Sequence, residues 1–394
     1  MIAAFWINFF IVFYTFVGYA IVLYFLVKIK RLVARKKTLV FESDNLPTLT
    51  LIVAAYNEEG IIEEKIRNTL GLRYPANKVQ FIFVTDGSSD GTPDRIRPYN
   101  KIRLMHTPER KGKITAMHRA MKQVDTEVAV FTDANTHLNP DALINLARHY
   151  ADRKVGAVSG EKRVRVSEVS DATAGEGFYW KYESLLKKWD SELYSVVGAA
   201  GELFSIRTDL YEPVPADTIV DDFMISLQIA AKGYRIVYEP DAYAMEDSSA
   251  NTKEELKRKI RIAAGGMQSI LRLTPLLNPF KHPVLSFQYI SHRVLRWSVT
   301  PFCMILVLLF NILIVFYHNQ LLYQMLLAAQ LFFYLLAFAG WMFERREIKI
   351  KPLFVPFYFC LMNYAVIMGI IRYFSRKQSA AWEKAKRKEA VVKY

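Results

Sequence analysis

VQFIFVTDGSSD, residues 79–90, decides how the rest of the chain is read. A short apolar run stops abruptly at a turn holding Asp86, Gly87, Ser88 and Asp90. That pattern predicts a parallel strand buried on both faces, with a carboxylate delivered at its C-terminal end. Open α/β sheets take their ligands in the crevice outside such strand ends. Working outward, LTLIVA at 49–54 is a second run of this kind and leads into Tyr56-Asn57-Glu58-Glu59-Gly60. A third, at 127–131, ends in Thr132-Asp133-Ala134-Asn135. Between them lie a strand at 101–105 and a helix at 113–123. Asn57 is expected to cap a helix whose first turn holds Glu58, Glu59, Glu63 and Glu64. Asn139-Pro140 is expected to open another, with proline in its favoured first position. Strands alternating with helices specify a doubly wound α/β domain, with Asp86 and Asp133 on the same face.

Beyond a strand at 155–159 the pattern changes. A long amphipathic helix at 173–193 carries Phe178, Tyr179, Trp180, Tyr182 and Trp189. Gly198-Ala199-Ala200-Gly201 leads into a strand at 202–207. DTIVDD at 217–222 precedes a helix at 223–232, then a strand at 234–238 and a basic helix at 252–271. No internal repeat or low-complexity stretch is visible.

The 394 residues are 52% hydrophobic and 14% aromatic, heavy for a purely aqueous protein, and the excess is concentrated. Residues 1–27, 297–320 and 321–343 contain no Asp, Glu, Lys or Arg. Each is long enough to cross a hydrocarbon core about 30 Å thick. The net charge of +14 is placed beside these spans, at Lys28, Lys30, Arg31, Arg35, Lys36 and Lys37 and in the C-terminal tail. Basic residues flanking apolar spans follow the positive-inside rule, which argues against a nucleic-acid partner and for a bilayer. The first segment lacks a basic start and a small-residue cleavage site, so it is expected to be a retained anchor. Cys303 and Cys360 both lie in apolar segments and offer neither a disulfide framework nor metal spacing.

The expected layout is a transmembrane helix at 1–27, a basic linker at 28–47 and a domain at 48–272. An interfacial helix at 279–297 and transmembrane helices at 298–317 and 321–343 follow, then an apolar stretch at 353–373 and a basic tail at 374–394. Pro352, Pro356, Asn363 and the charge of the tail favour an interfacial position for 353–373, leaving three spans and a cytoplasmic tail. The spans carry no internal ionisable residue of the kind that marks a transport pathway.

The ordered motifs AAYNEEG, VTDGSSDGT, KGKITAMHRA, VFTDANT, GAAGELFSIR, IVDDF and RKIRI resemble the family 2 glycosyltransferases. Within that family they resemble the group of cellulose, hyaluronan and poly-N-acetylglucosamine synthases. The likeness covers about 50–270. It implies an α/β GT-A (Rossmann-like) domain on the cytoplasmic side of the inner cell membrane, flanked by transmembrane helices. It also implies a nucleotide-sugar donor, UDP-linked, and an inverting transfer to a growing β-linked polysaccharide. An accessory membrane or export subunit would fit the same picture. By the same resemblance, Asp86 contacts the uridine, and Ala55, Asn57 and Glu58 border the donor. Lys113 faces the diphosphate. Asp133 and Asn135 stand for the Asp-x-Asp pair that holds Mg²⁺ or Mn²⁺, with a neutral oxygen in place of the second acid. Asp222 matches the general base, preceded by Asp221 where the family has Glu. Gly198, Gly201, Glu202 and Asp221 fall on the acceptor side.

The Gln-x-x-Arg-Trp of processive members is matched to Arg258-Lys259-Ile260-Arg261-Ile262, where Arg258 and Arg261 face the donor but the acceptor-stacking tryptophan is lost. A transferase making a single addition to a lipid acceptor, a polyprenyl phosphate or a glycolipid, is therefore the alternative. The later Arg296-Trp297 is read as an interfacial anchor. Gln378-Ser379-Ala380-Ala381-Trp382 resembles the gating loop of such synthases, with Trp382 its candidate aromatic.

Overall fold

A computed structural model describes residues 1–33, 45–165, 173–247, 252–346, 348 and 350–376. Eight strands form one sheet. They are β1 (Leu49–Ala55), β2 (Val79–Asp86), β3 (Ile102–Thr107), β4 (Val128–Asp133), β5 (Thr136–Leu138), β6 (Val155–Arg165), β7 (Leu203–Arg207) and β8 (Arg235–Asp247). Their order is β3-β2-β1-β4-β7-β6-β8-β5. The half expected from the 79–90 pattern is parallel throughout: β1 pairs with β2 and β4, and β2 with β3. β1 is buried along its whole length, as its unbroken apolar sequence requires. The other half is mixed. β7 runs antiparallel to both β4 and β6, and the short β5 runs antiparallel to β8. The doubly wound expectation therefore holds for the first half only.

Helices cover both faces. One core layer holds Ile114, Met117, Phe223 and Leu227 from the helices Lys113–Met121 and Asp221–Ala231. The opposite layer holds Ile62, Ile66, Leu143 and Leu146 from Ile62–Leu70 and Ala142–Ala147. Two expected caps are corrected. The first of those helices starts at Ile62, and the Asn57 side chain instead accepts from Ser89 N (2.9 Å), so it does not cap the helix. The other starts at Ala142, two residues after Pro140.

Among the described residues, four helical runs are long and apolar enough to cross a membrane: Ile2–Val33, Pro283–His318, Leu321–Arg345 and Pro352–Phe374. The 279–297 and 298–317 segments, expected as separate helices, form one run from Pro283 to His318 through a π-helical stretch at Ile290–Val299. The 353–373 stretch is a single helix, Lys351–Phe374, with Pro356 in its interior. Glycines set its packing. A Cβ at Gly340 would lie 2.3 Å from the Leu353 carbonyl oxygen, and one at Gly369 2.5 Å from the Ala263 Cβ. This helix therefore joins the Leu321–Arg345 helix to the Thr252–Arg272 helix of the sheet domain. Phe10, Phe316, Phe332 and Phe338 are exposed on the outer faces of the apolar helices, a surface that fits lipid.

Candidate active site

Sheet register brings the donor-side residues together. Ala54 lies opposite Asp133, Ala55 opposite Thr85, and Asp86 opposite Thr107, so four neighbouring strand ends meet at one edge. Asp86 is buried there, and its carboxylate accepts from Lys111 N (3.1 Å) and Gly112 N (2.6 Å). It thereby pins the loop that delivers Lys113. Gly87 has φ +67°, and a Cβ on it would meet Arg110 at 2.7 Å, so this turn requires glycine. The 56–60 turn is tied to the 88–92 turn by Glu58 N donating to Thr92 Oγ1 (2.8 Å) and Glu59 N to Asp90 Oδ2 (3.1 Å).

Asp133 ends β4, and Lys113 opens its helix. Their side chains meet: the Lys113 ammonium lies 2.8 Å from Asp133 Oδ1 and 3.5 Å from Asp221 Oδ2. Burial disfavours the charge on Lys113, but the two carboxylates outweigh it and hold its pKa above the ordinary lysine value. Asp133 Oδ1 and Asp221 Oδ2 are buried and accept no hydrogen bond beyond what this ammonium offers. Beneath the 132–136 turn lies Lys65, which pattern reading missed. Its buried ammonium donates to the Thr136 carbonyl (2.8 Å) and to Thr132 Oγ1 (3.3 Å). Burial pulls its pKa down to about 7 against the Asp133 charge. The amphipathic pattern of its helix gave a signal for it, a lysine on the apolar face beside Ile62, Ile66 and Thr69.

Asp222 sits in the first turn of its helix, at the mouth of the acceptor side. A Cβ on Gly201 would lie 3.1 Å from Asp222 Oδ2, so glycine lets the 198–201 loop close onto the acid. Gly198, at φ +90°, faces the Phe223 ring so closely that a Cβ would reach it at 2.3 Å. Burial, then the neighbouring Asp221 charge, pushes the Asp222 carboxyl up to about 7, with Lys113 opposing. Glu202 pairs with Lys162, which also pairs with Glu246. Although burial opposes it, Lys162 holds the Glu202 carboxyl well below its usual range. Arg258 belongs to the same network, 3.1 Å from Glu255 and 3.9 Å from Glu246.

One cavity of ≈ 1760 Å³ connects these groups. Glu58, Lys113, Asp133 and Asn135 line it on the donor side, and Gly201, Glu202, Asp221, Asp222, Arg258 and Arg261 also line it. Ala55, Asn57, Asp86 and Gly198 stand behind this lining, not in it. Trp382 lies outside the described residues. Trp297 is the clearest residue that sequence reading misplaced. Its ring lies 5.1 Å from that of Phe223, next in the chain to Asp222, and it forms part of the cavity wall. Gly266 makes room for it, since a Cβ there would meet the indole at 2.4 Å. The signal was available in Arg293-Val294-Leu295-Arg296-Trp297, an Arg-x-x-Arg-Trp with the family's spacing. Both arginines are held by Glu183, at 2.7 and 2.9 Å, and His292 beside them reaches Asp190 at 2.6 Å. Part of the cavity wall is apolar, formed by Phe16, Val17, Val355, Phe359 and Met362 of the first and last helices.

Residues 50–214 match the model of the family described as Glycosyl transferase family 2. A poly-beta-1,6-N-acetyl-D-glucosamine synthase of Staphylococcus aureus is 29% identical over 239 residues, covering 58% of this chain and 57% of that protein. Its counterpart from Staphylococcus epidermidis is 25% identical over 285 residues, covering 69% and 68%. The chain thus matches little more than half the length of the first of these relatives. Among solved structures, a mannosyltransferase from Pyrobaculum calidifontis in complex with GDP-Man and Mn²⁺ superposes with a TM-score of 0.71 at 24% identity. That match covers 95% of this chain and all of that one, and it speaks to the fold alone. The motifs in order, the mixed sheet and the matched domain agree: residues 50–214 carry a domain that matches the family 2 glycosyltransferases.

Proposed function

We propose that the protein is a membrane-embedded, inverting glycosyltransferase. It moves a sugar from a UDP-linked donor to a growing β-linked polysaccharide, with its sheet domain on the cytoplasmic side. The observation that carries this reading is one cavity lined by Asp222, by the Lys113–Asp133 pair and by Trp297, whose ring packs on Phe223 next to Asp222. Asp222 takes the proton of the acceptor hydroxyl, and a base whose pKa is near 7 is matched to that task. The hydroxyl oxygen attacks the anomeric carbon from the face opposite the diphosphate. The bond from that carbon to the diphosphate oxygen breaks, and the nucleoside diphosphate leaves with the electron pair. Lys113 supplies positive charge on the leaving-group side. Trp297 offers the acceptor sugar a flat apolar face, the role that the resemblance gave to the tryptophan missing at Ile262.

A divalent cation fits the donor side. Among the described residues no cluster of three or more His, Cys, Asp or Glu forms an all-protein cage. Mg²⁺ and Mn²⁺ need none, because one or two carboxylates complete their shell together with substrate phosphates. Asp133, with an oxygen that accepts from nothing but Lys113, and the neutral Asn135 amide are the residues that would hold it. When bound, the cation offsets charge on the departing diphosphate.

The apolar part of the cavity wall favours a second reading. A hydrocarbon chain lying against Val17, Val355 and Met362 would put a lipid-linked acceptor in the same cavity as Asp222. Both readings are tested by incubating the purified protein with a panel of UDP-sugars and GDP-mannose and sizing the product. A ladder supports the polysaccharide reading, and one discrete lipid product supports the second. No transfer from any donor defeats both.

A further inference from the structure

The Lys113 ammonium occupies the position from which it neutralises Asp133 and Asp221 at once. These carboxylates come from different elements, one ending β4 and the other opening the Asp221–Ala231 helix. Without a cation between them they would repel across a buried wall. Within this trio two carboxylates and one ammonium leave one net negative charge, and Asn135 adds none where an acid would make it two; of the groups around it, Asp222 adds negative charge and Lys65 opposes it. A divalent cation arriving alone must therefore displace a half-buried lysine to reach Asp133 Oδ1, against little net negative charge to hold it. A nucleoside diphosphate changes both terms. Its oxygens offer Lys113 a new partner and bring the missing negative charge.

We infer that Lys113 is a built-in placeholder for the metal, so that this protein refuses a divalent cation until a nucleoside diphosphate draws Lys113 off Asp133. Cation and donor then bind as a coupled pair, and each raises the other's affinity by the same factor. The inference rests on the donor-site reading above and goes beyond it. It assigns Lys113 two positions and an inhibitory effect on metal binding in the first, besides its support of the diphosphate in the second.

The test is Mn²⁺ binding to the full-length protein in detergent, read from the electron paramagnetic resonance signal of free Mn²⁺, with and without UDP. Wild type is expected to bind Mn²⁺ weakly alone and more tightly with UDP. Lys113→Met should raise the affinity for Mn²⁺ alone by about tenfold or more while weakening UDP binding, an opposite-sign pair that a merely structural lysine does not produce. Lys113→Arg keeps the cation and should keep the weak Mn²⁺ binding. Lys113→Gln serves in place of methionine if that variant fails to fold. Adding Asp133→Asn to Lys113→Met should abolish the gain. Unchanged or weaker Mn²⁺ binding in both neutral variants overturns the inference, and so does a gain that survives loss of Asp133. If UDP leaves wild-type Mn²⁺ affinity unchanged, the donor-site reading fails instead.

Discussion

The two ends of the cavity are built in different ways. On the donor side, groups arrive at the ends of parallel strands that neighbour one another in the sheet, and register alone brings Asp86 and Asp133 to one edge. On the acceptor side, Gly201, Asp222, Arg258 and Trp297 come from a loop and three helices spread over nearly 100 residues. They are held by close glycine contacts and by two buried ion networks. The donor end thus inherits its geometry from the backbone ladder. The acceptor end depends on how the membrane-flanking helices dock against the sheet.

The largest effect that separates the two ends is loss of the base. Asp222→Asn should cost about 10²–10⁴-fold in kcat while leaving the Kd for UDP within about twofold, because the proton is removed only on the acceptor side. Steady-state release of UDP and equilibrium binding of UDP check the two halves. A matching loss of UDP affinity would break the division between the ends.

Next comes the network that holds the acceptor wall. Lys162 is buried between Glu202 and Glu246, and removing one partner of such a cluster leaves uncompensated charge. Lys162→Met should cost about 3–5 kcal/mol of stability. Thermal unfolding in detergent measures it, and adding Glu202→Gln should restore part of the loss. If the single variant melts like wild type, the wall does not depend on this pair.

The division between the ends also explains what was legible in the sequence. β1, β2 and β4 are largely apolar runs, the last two ending in aspartate, and a buried parallel strand leaves that trace in any chain. Asp86 was found this way, although its immediate work is to pin the 111–112 loop by hydrogen bonds that no motif displays. The antiparallel insertion of β7 was not legible, because strand direction depends on long-range pairing and not on composition. Trp297 was misplaced for a related reason. In sequence an Arg-Trp before an apolar span has the composition of a membrane anchor. Only the packing of Gly266 and Phe223 around the indole turns it into cavity wall. Lys65 was hidden because a lysine in a short helix is ordinarily solvated.

Trp297→Ala sharpens the comparison further. An aromatic face contributes on the order of 0.5–1.5 kcal/mol, so the acceptor KM should rise by about twofold to about tenfold, with the UDP Kd unchanged. On the polysaccharide reading the product ladder should shorten as well. A shift in UDP affinity without a shift in acceptor KM would place the indole on the wrong side of the site.

The smallest expected effect lies in the pH profile, and it tests whether the two ends communicate through charge. Asp222 acts when ionised, and burial with the Asp221 charge raises its pKa to about 7 while Lys113 lowers it. The sign follows directly: activity is lost as pH falls through 7, and going from pH 7 to pH 8 gains about twofold as the ionised fraction rises from half toward unity. Neutralising Asp221 with Asp221→Asn removes a raising charge and should move this acidic limb to lower pH. Lys113→Met removes the opposing charge and should move it to higher pH, whatever it does to the amplitude. A limb that stays fixed in both variants would mean that Asp222 titrates without regard to the donor-side pair, and the two ends would then share a cavity but not a field.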